Sequence, residues 1–245
     1  MRILTIIVVG LLSLGHVFAQ LNDEQKKVFE ISAQMRKVYS EHSSVQYSTA
    51  YSYYINSLDS NAIDTQKGEI KTQGENILQT LGGVTSIQNE DYTFVVNHDE
   101  KSMFLSVIMK VNGGASAVPF DLGVLDSMMY QIEVVSVEQK GKIHAFDIKL
   151  QQGEIERFYM SYNPETFVPQ EMIIYYANEQ KIFAPGNKQY IGKPILKINY
   201  SSQKVNQQIP DSVFSYKEYL RMISGELKPL EIYAKYSFYD TSKSH

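Results

Sequence analysis

Residues 142–177 read KIHAFDIKLQQGEIERFYMSYNPETFVPQEMIIYYA, and this stretch decides the fold. Apolar and polar residues alternate over 143–150 and again over 155–162, which is typical of β-strands with one apolar face. Two turn-like breaks separate the runs, and the second, 163–165, contains a proline that presets φ and removes a backbone donor. The third run, 168–177, is apolar on both faces. The stretch therefore predicts an antiparallel sheet wrapped around a helix or a cavity.

The N-terminus has the pattern of a secretory signal peptide. Arg2 precedes an apolar run over 3–14, and Ala19 stands at the cleavage position. The run is too short for a bilayer core of about 30 Å, which takes about 20 apolar residues. No cysteine lies near the cleavage position, so a lipidated N-terminus is excluded. We expect a signal peptide over 1–19, cleaved near Ala19, and one exported domain over 20–245.

The composition limits both the fold and its partners. The 245 residues include 18 Tyr, 11 Phe and 9 Met but no Cys or Trp, so no disulfide can form and the fold must depend on its core. The length is sufficient for one sizeable core. The formal net charge of −4 argues against nucleic acid and against anionic membrane surfaces, both of which select for basic patches.

The residues after the leader predict an amphipathic helix. Asn22 is a suitable N-cap, with Gln25 three residues later. Apolar residues then recur at spacings of three and four, which gives one apolar stripe suited to packing on a sheet. These residues are Val28, Ile31, Met35 and Val38.

Elsewhere the period is two, and we count about ten strands and two helices. Glycines at 68 and 74 indicate that 65–81 is either two strands or one long bent strand. We interpret 178–192 as a polar loop and 219–223 as a helical turn. The remaining predicted strands are 45–55, 91–97, 102–111, 131–139, 194–201 and 230–238, of which 91–97 and 102–111 form a hairpin.

A glycine-containing linker over 112–117 leads to a short helical stripe. Its apolar residues are Leu122, Leu125, Met128 and Met129. The segment is either a packing helix that closes one end of the sheet or a movable lid, since methionine adapts to variable apolar partners.

No catalytic or metal-binding constellation is visible. His42, His98, His144 and His245 lack the spacing of metal ligands. The S-x-x-K match at 201–204 has no companion motif. We therefore expect neither an enzyme nor a cofactor.

The order of the elements carries a resemblance. The chain contains GEIKT at 68–72, a hairpin through 92–105, F-x-I-x-L at 146–150, Y-x-P-x-T-x-x-P at 162–169 and N-x-x-I-x-x-x-x-F at 206–214. With the signal peptide, the N-terminal helix and the short helical insertion, this order resembles the periplasmic carriers of outer-membrane lipoproteins, the LolA-like family. The resemblance implies an unclosed half-barrel whose aromatic cavity takes up acyl chains beneath a helical lid.

The expected fold is mainly β (α+β), a curved antiparallel sheet with the N-terminal helix and the lid helix on its concave side. The resemblance implies a periplasmic, monomeric carrier of acyl chains of lipids or lipoproteins, with inner- or outer-membrane proteins as further partners. The alternative is an envelope sensor or protein-interaction module on the same fold, docking through a sheet edge. The expected cavity wall consists of Phe94, Val96, Phe104, Phe146, Ile148, Leu150, Phe158, Met160, Leu196, Ile198 and Tyr200, with the four residues of the helical stripe as lid.

Overall fold

The computed structural model describes residues 21–41, 44–107, 132–141, 143–184, 186 and 188–241. The expected signal peptide and the Leu122–Met129 lid stripe lie outside these ranges. No helix within them is long and apolar enough to cross a membrane.

The predicted N-terminal helix is α1, Asp23–Glu41. Its first turn is closed by a capping box, in which the Gln25 backbone N–H donates to Asn22 Oδ1 (2.8 Å) and the Asn22 N–H donates to Gln25 Oε1 (3.0 Å). Val28, Ile31 and Met35 of the apolar stripe are buried against the sheet.

Replacing Asn22 with alanine should lower the free energy of unfolding by about 1 kcal/mol, because the Gln25 N–H loses its acceptor. Urea unfolding followed by circular dichroism measures this change. Asn22→Ser keeps a capping oxygen and should stay within a few tenths of a kcal/mol of the wild type. An equal loss in both variants would contradict the capping role.

Sixteen strands lie within the described ranges. They are β1 (Val45–Ile55), β2 (Asp64–Gln73), β3 (Asn76–Leu81), β4 (Val84–Gln88), β5 (Tyr92–Asn97), β6 (Ser102–Val107), β7 (Ile132–Lys140), β8 (Ile143–Leu150), β9 (Ile155–Tyr162), β10 (Pro169–Tyr176), β11 (Gln180–Ala184), β12 (Lys188–Gly192), β13 (Pro194–Val205), β14 (Leu220–Ile223), β15 (Glu226–Pro229) and β16 (Ser237–Asp240).

Twelve of these strands form one large curved sheet that does not close into a barrel, in the order β16-β6-β5-β4-β3-β2-β1-β13-β10-β9-β8-β7. All neighbours are antiparallel except β16, which pairs parallel to β6. The predicted half-barrel architecture, with the helix on the sheet, is confirmed. Strands β11–β12 and β14–β15 form two separate hairpins.

Three local predictions were wrong. The expected polar loop over 178–192 contains the β11–β12 hairpin, which is largely exposed and so lacks an apolar alternation. The expected helical turn at 219–223 contains β14, which pairs with β15 across Ser224 and Gly225, both at positive φ as a tight hairpin turn requires. The expected strand over 230–238 is a 3-10 helix, Glu231–Tyr233, followed by the short β16.

The strand register defines two faces of the sheet. Directly paired residues project to the same side, so Tyr47, Ile70, Gln79, Ser86, Val95 and Phe104 form one row across β1–β6. We call this side the helix face, because Tyr47 and Ile70 share a buried cluster with α1. Ile87, Phe94 and Leu105 form the neighbouring row on the opposite face.

Each face carries its own core. On the helix face, α1 packs on β1, β2, β13 and β7–β10. On the opposite face, Ile87, Phe94, Val96, Met103 and Leu105 are buried under a segment that we call the C-terminal cover, residues 209–238. Phe214 and Leu220 are the buried anchors of this cover.

Candidate functional site

Most of the expected cavity-wall residues lie together on the helix face beneath α1. All are buried except Leu150, which is half-buried at the rim, and they pack with Val28, Ile31 and Met35. They are Phe146, Ile148, Leu150, Phe158, Met160, Leu196, Ile198 and Tyr200. In this arrangement they form the core between sheet and helix.

Phe94 and Val96 do not share a wall with these residues. Both project from the opposite face and are buried under the C-terminal cover, where the Phe94 ring lies 5.4 Å from that of Tyr219. The prediction that they line the same surface as Phe146 was wrong. Alternation within β5 shows that its two faces differ. The pairing of β5 to β1 through the three intervening strands decides which face meets α1.

Phe104 lies on the helix face, as its pairing with Val95 requires. It is 44% exposed, and its ring stacks on that of Tyr239 in β16 at a centroid distance of 4.9 Å and an interplanar angle of 12°. Tyr239 was not among the predicted site residues. No local pattern signals it, because the stack depends on the parallel pairing of β16 with β6.

The helix face between α1 and β16 is incompletely covered. Among the described residues, the cluster under α1 reaches β2 and β3 through Ile70 and Leu81 and includes no residue of β4, β5 or β6. Beside it, six apolar side chains that are half-buried or exposed alternate with polar residues such as Gln79 and Ser86. We call this surface the open half of the helix face, and it consists of Ile77, Leu81, Val84, Val95, Phe104 and Tyr239.

Two tyrosines at the border between the two halves are uncharged. Burial raises the pKa of Tyr51 above its ordinary value, and hydrogen bonds from Thr49 and Gln79 only partly offset this. Burial also raises the pKa of Tyr53, with smaller contributions from Tyr176 and from the Asp64 carboxylate on the paired strand. Both phenols therefore stay protonated at neutral pH.

Several ionisable residues elsewhere in the described ranges form ion pairs or hydrogen bonds. In the described part of the chain, no group of three His, Asp or Glu side chains could hold a metal ion. Arg157 Nε and Nη2 bind the Asp147 carboxylate at 2.9 and 2.5 Å, and this hydrogen bonding raises the pKa of Arg157. Asp147 pairs with Tyr159, away from the helix face. The His98 ring contacts the Tyr236 hydroxyl at 3.1 Å.

No protein-family model matches the sequence, and no curated protein matches it. Solved structures match over most of the chain. An uncharacterized conserved protein from Thermus thermophilus aligns with a TM-score of 0.47 and 6% identity, covering 78% of this chain and 95% of that one. A LolA superfamily protein from Nitrosomonas europaea aligns with a TM-score of 0.33 and 12% identity, covering 76% and 96%.

A third structural neighbour comes from the MucA/MucB complex of Pseudomonas aeruginosa. It aligns with a TM-score of 0.42 and 8% identity, covering 85% of this chain and 64% of the other. The LolA superfamily, which the order of motifs predicted, is thus among the structural neighbours.

Proposed function

We propose that the protein is a periplasmic carrier that binds the acyl chain of a lipid or lipoprotein on the open half of the helix face, for transfer towards the outer membrane. One observation carries this proposal. On strands β4–β6 the apolar residues under the C-terminal cover are buried, whereas Val84, Val95 and Phe104 on the helix face are half-buried or exposed. An acyl chain lying on this face would cover these three apolar side chains and remove them from water.

Burial of hydrocarbon is sufficient to drive such binding. Each CH₂ group removed from water contributes about 0.8 kcal/mol. The open half offers aliphatic and aromatic contacts without a charged side chain among its six residues. A binding protein of this kind needs no catalytic group and no cofactor.

The expected wall residues under α1 enter this proposal as a continuation of the same face. Ile70 and Leu81 join the packed half to the open half, so a long chain would extend from Phe104 towards the edge of α1. The roles of Leu122, Leu125, Met128 and Met129 as a lid and of residues 1–19 as an export signal remain predictions. Together they describe one exported domain over 20–245.

Replacing Phe104 with serine should weaken binding of a fluorescent fatty-acid analogue about tenfold or more. Burial of the phenyl ring by a ligand contributes about 1.5–3 kcal/mol to the binding free energy. About 1.4 kcal/mol corresponds to a tenfold change in affinity. Fluorescence titration of the purified protein measures this effect. The melting temperature should change little, because the side chain is partly exposed in the free protein.

Ile232→Ser is the matched control. Ile232 is 78% exposed and belongs to the C-terminal cover, on the other side of the sheet. This variant should bind the analogue like the wild type. If the two variants lose affinity equally, or if Phe104→Ser binds normally, the open half is not the acyl site.

The second candidate is the sensor or protein-interaction module. One observation favours it, namely that Phe183 and Ile191 lie on the same side of the β11–β12 hairpin and are 65% and 64% exposed. Exposed apolar pairs of this kind often mark protein contacts. Mass spectrometry of lipids extracted from protein purified from native envelopes separates the candidates. Bound acyl species support the carrier, whereas a lipid-free protein that captures an envelope protein through this hairpin supports the module.

A further inference from the structure

A cavity lies beside α1, away from the open half of the helix face. Its volume is about 360 Å³, within the range of about 300–1,000 Å³ common for small-molecule sites. It opens between the middle of α1 and the adjoining ends of β7, β8 and β9. The side chains that matter here are Glu30, Gln34, Gln139, His144, Tyr162 and Phe167. None of its described lining residues comes from β2–β6, so it is separate from the proposed acyl site.

One wall of this cavity is a short aromatic stack. The Tyr162 and Phe167 rings are nearly parallel, with an interplanar angle of 13° and a centroid distance of 5.7 Å. The His144 ring meets Tyr162 edge-on, also at 5.7 Å. Because Tyr162 is buried between its neighbours, the half-buried Phe167 and His144 are the ring surfaces that a ligand would reach.

Phe167 is held in an unusual backbone conformation. Its φ of 55° lies in the left-handed region, which bulky residues rarely adopt. The preceding turn imposes it, since the Phe167 N–H donates to the Asn163 carbonyl (2.8 Å) and the Asn163 N–H donates to the Val168 carbonyl (3.0 Å). Asn163 Oδ1 also accepts from the N–H groups of Glu165 and Thr166. Such strain persists where the surroundings fix it, and it is common at binding sites.

The polar lining favours a positively charged ligand. Glu30 is the carboxylate at the rim, and the described lining contains no lysine or arginine. Gln34 lies one helical turn further along α1. Gln139 forms a hydrogen bond with the phenol of Tyr162, which opposes the rise in the Tyr162 pKa caused by burial. A carboxylate, amide oxygens and aromatic rings are the groups that bind organic cations.

We propose that this cavity binds an organic ammonium group, with Glu30 as its counter-ion and Phe167 as its aromatic contact. An anion would find no cationic partner among the described lining side chains. A purely apolar ligand would offer no polar partner to Glu30, Gln34 and Gln139, which are exposed around the cavity. An ammonium group in this cavity would pair with the exposed Glu30 carboxylate and lie against the Phe167 ring, because both line it.

Isothermal titration calorimetry of the whole exported protein tests the proposal with choline, ethanolamine and 3,3-dimethylbutan-1-ol, the last being the uncharged isostere of choline. Choline should bind at least about tenfold more tightly than the isostere, because only the cation gains a charge-assisted contact. Comparison of choline with ethanolamine shows whether the site takes quaternary or primary ammonium groups. Equal binding of choline and its isostere, or no binding of either amine at about 10 mM, would overturn the proposal.

Glu30→Gln should weaken choline binding about tenfold and leave the isostere unchanged. Glu24→Gln removes the same charge from α1 at a position outside the cavity, so it is the matched control and should bind choline normally. Phe167→Leu keeps an apolar side chain without a ring and should weaken choline binding about two- to fivefold. Equal losses in Glu30→Gln and Glu24→Gln would show a general charge effect and contradict the site.

Discussion

Phe158→Ala is expected to lower the free energy of unfolding by about 3–5 kcal/mol, the usual cost of emptying a buried aromatic site. Phe158 is 0% exposed and lies between Ile148 of β8 and Ile174 of β10, with the Phe146 ring 5.9 Å away. Urea unfolding monitored by circular dichroism provides the measurement, since the chain has no tryptophan.

The result also tests whether the space under α1 is filled. Phe183→Ala is the control, because the Phe183 side chain is 65% exposed. This variant should change the free energy of unfolding by less than about 0.5 kcal/mol. A loss below about 1 kcal/mol for Phe158→Ala would mean that the ring already borders a hollow. The acyl site would then lie under α1, as the resemblance predicts, and not on the open half of the helix face.

Gly68→Ala should destabilise the protein by about 3 kcal/mol or more, because an added methyl group has no space. A Cβ at this position would lie 2.2 Å from the Thr80 carbonyl oxygen and 2.9 Å from Thr49 Oγ1. The first is a backbone atom of the neighbouring strand β3 and cannot move without breaking the sheet. The shift in the urea midpoint, at unchanged slope, measures this loss.

Gly74→Asn provides the comparison for that experiment. Gly74 follows the same strand at a φ of 59°, and no atom lies within 4 Å of a Cβ placed there. Asparagine tolerates this backbone region, so the variant should lose far less stability than Gly68→Ala. Similar losses at the two positions would show that loss of backbone freedom, and not the contact with Thr80, explains both.

Capping residues and the spacing of apolar residues were sufficient to predict α1 and several strands. Asn22 and Gln25 defined the start of α1, and the spacing of Val28, Ile31 and Met35 defined its buried stripe. Alternation predicted β1, β5, β8 and β9, and it separated the inward from the outward residues within each strand. These features depend on neighbours within a few positions, which the sequence displays directly.

The composition of the site could not be predicted in the same way. Phe94 and Phe104 belong to adjacent strands, and their patterns are equally apolar, yet they project from opposite faces. The residue pairing from each strand to the next, followed from β1 to β6, decides which of the two lies on the face that meets α1. Tyr239 reaches Phe104 through a parallel pairing of distant segments, for which the sequence contains no signal.

The late position of β16 has a kinetic consequence. Thr241 Oγ1 donates to the Leu105 carbonyl across 136 residues of chain, and the C-terminal cover is nearly as remote from the strands that it buries. Contacts of such long range slow folding, because a large loop must close before they form. During synthesis, Phe94 and Met103 have no cover until the last part of the chain exists. A nascent chain arrested before residue 209 would expose the apolar face of β4–β6, and it would bind chaperones or aggregate.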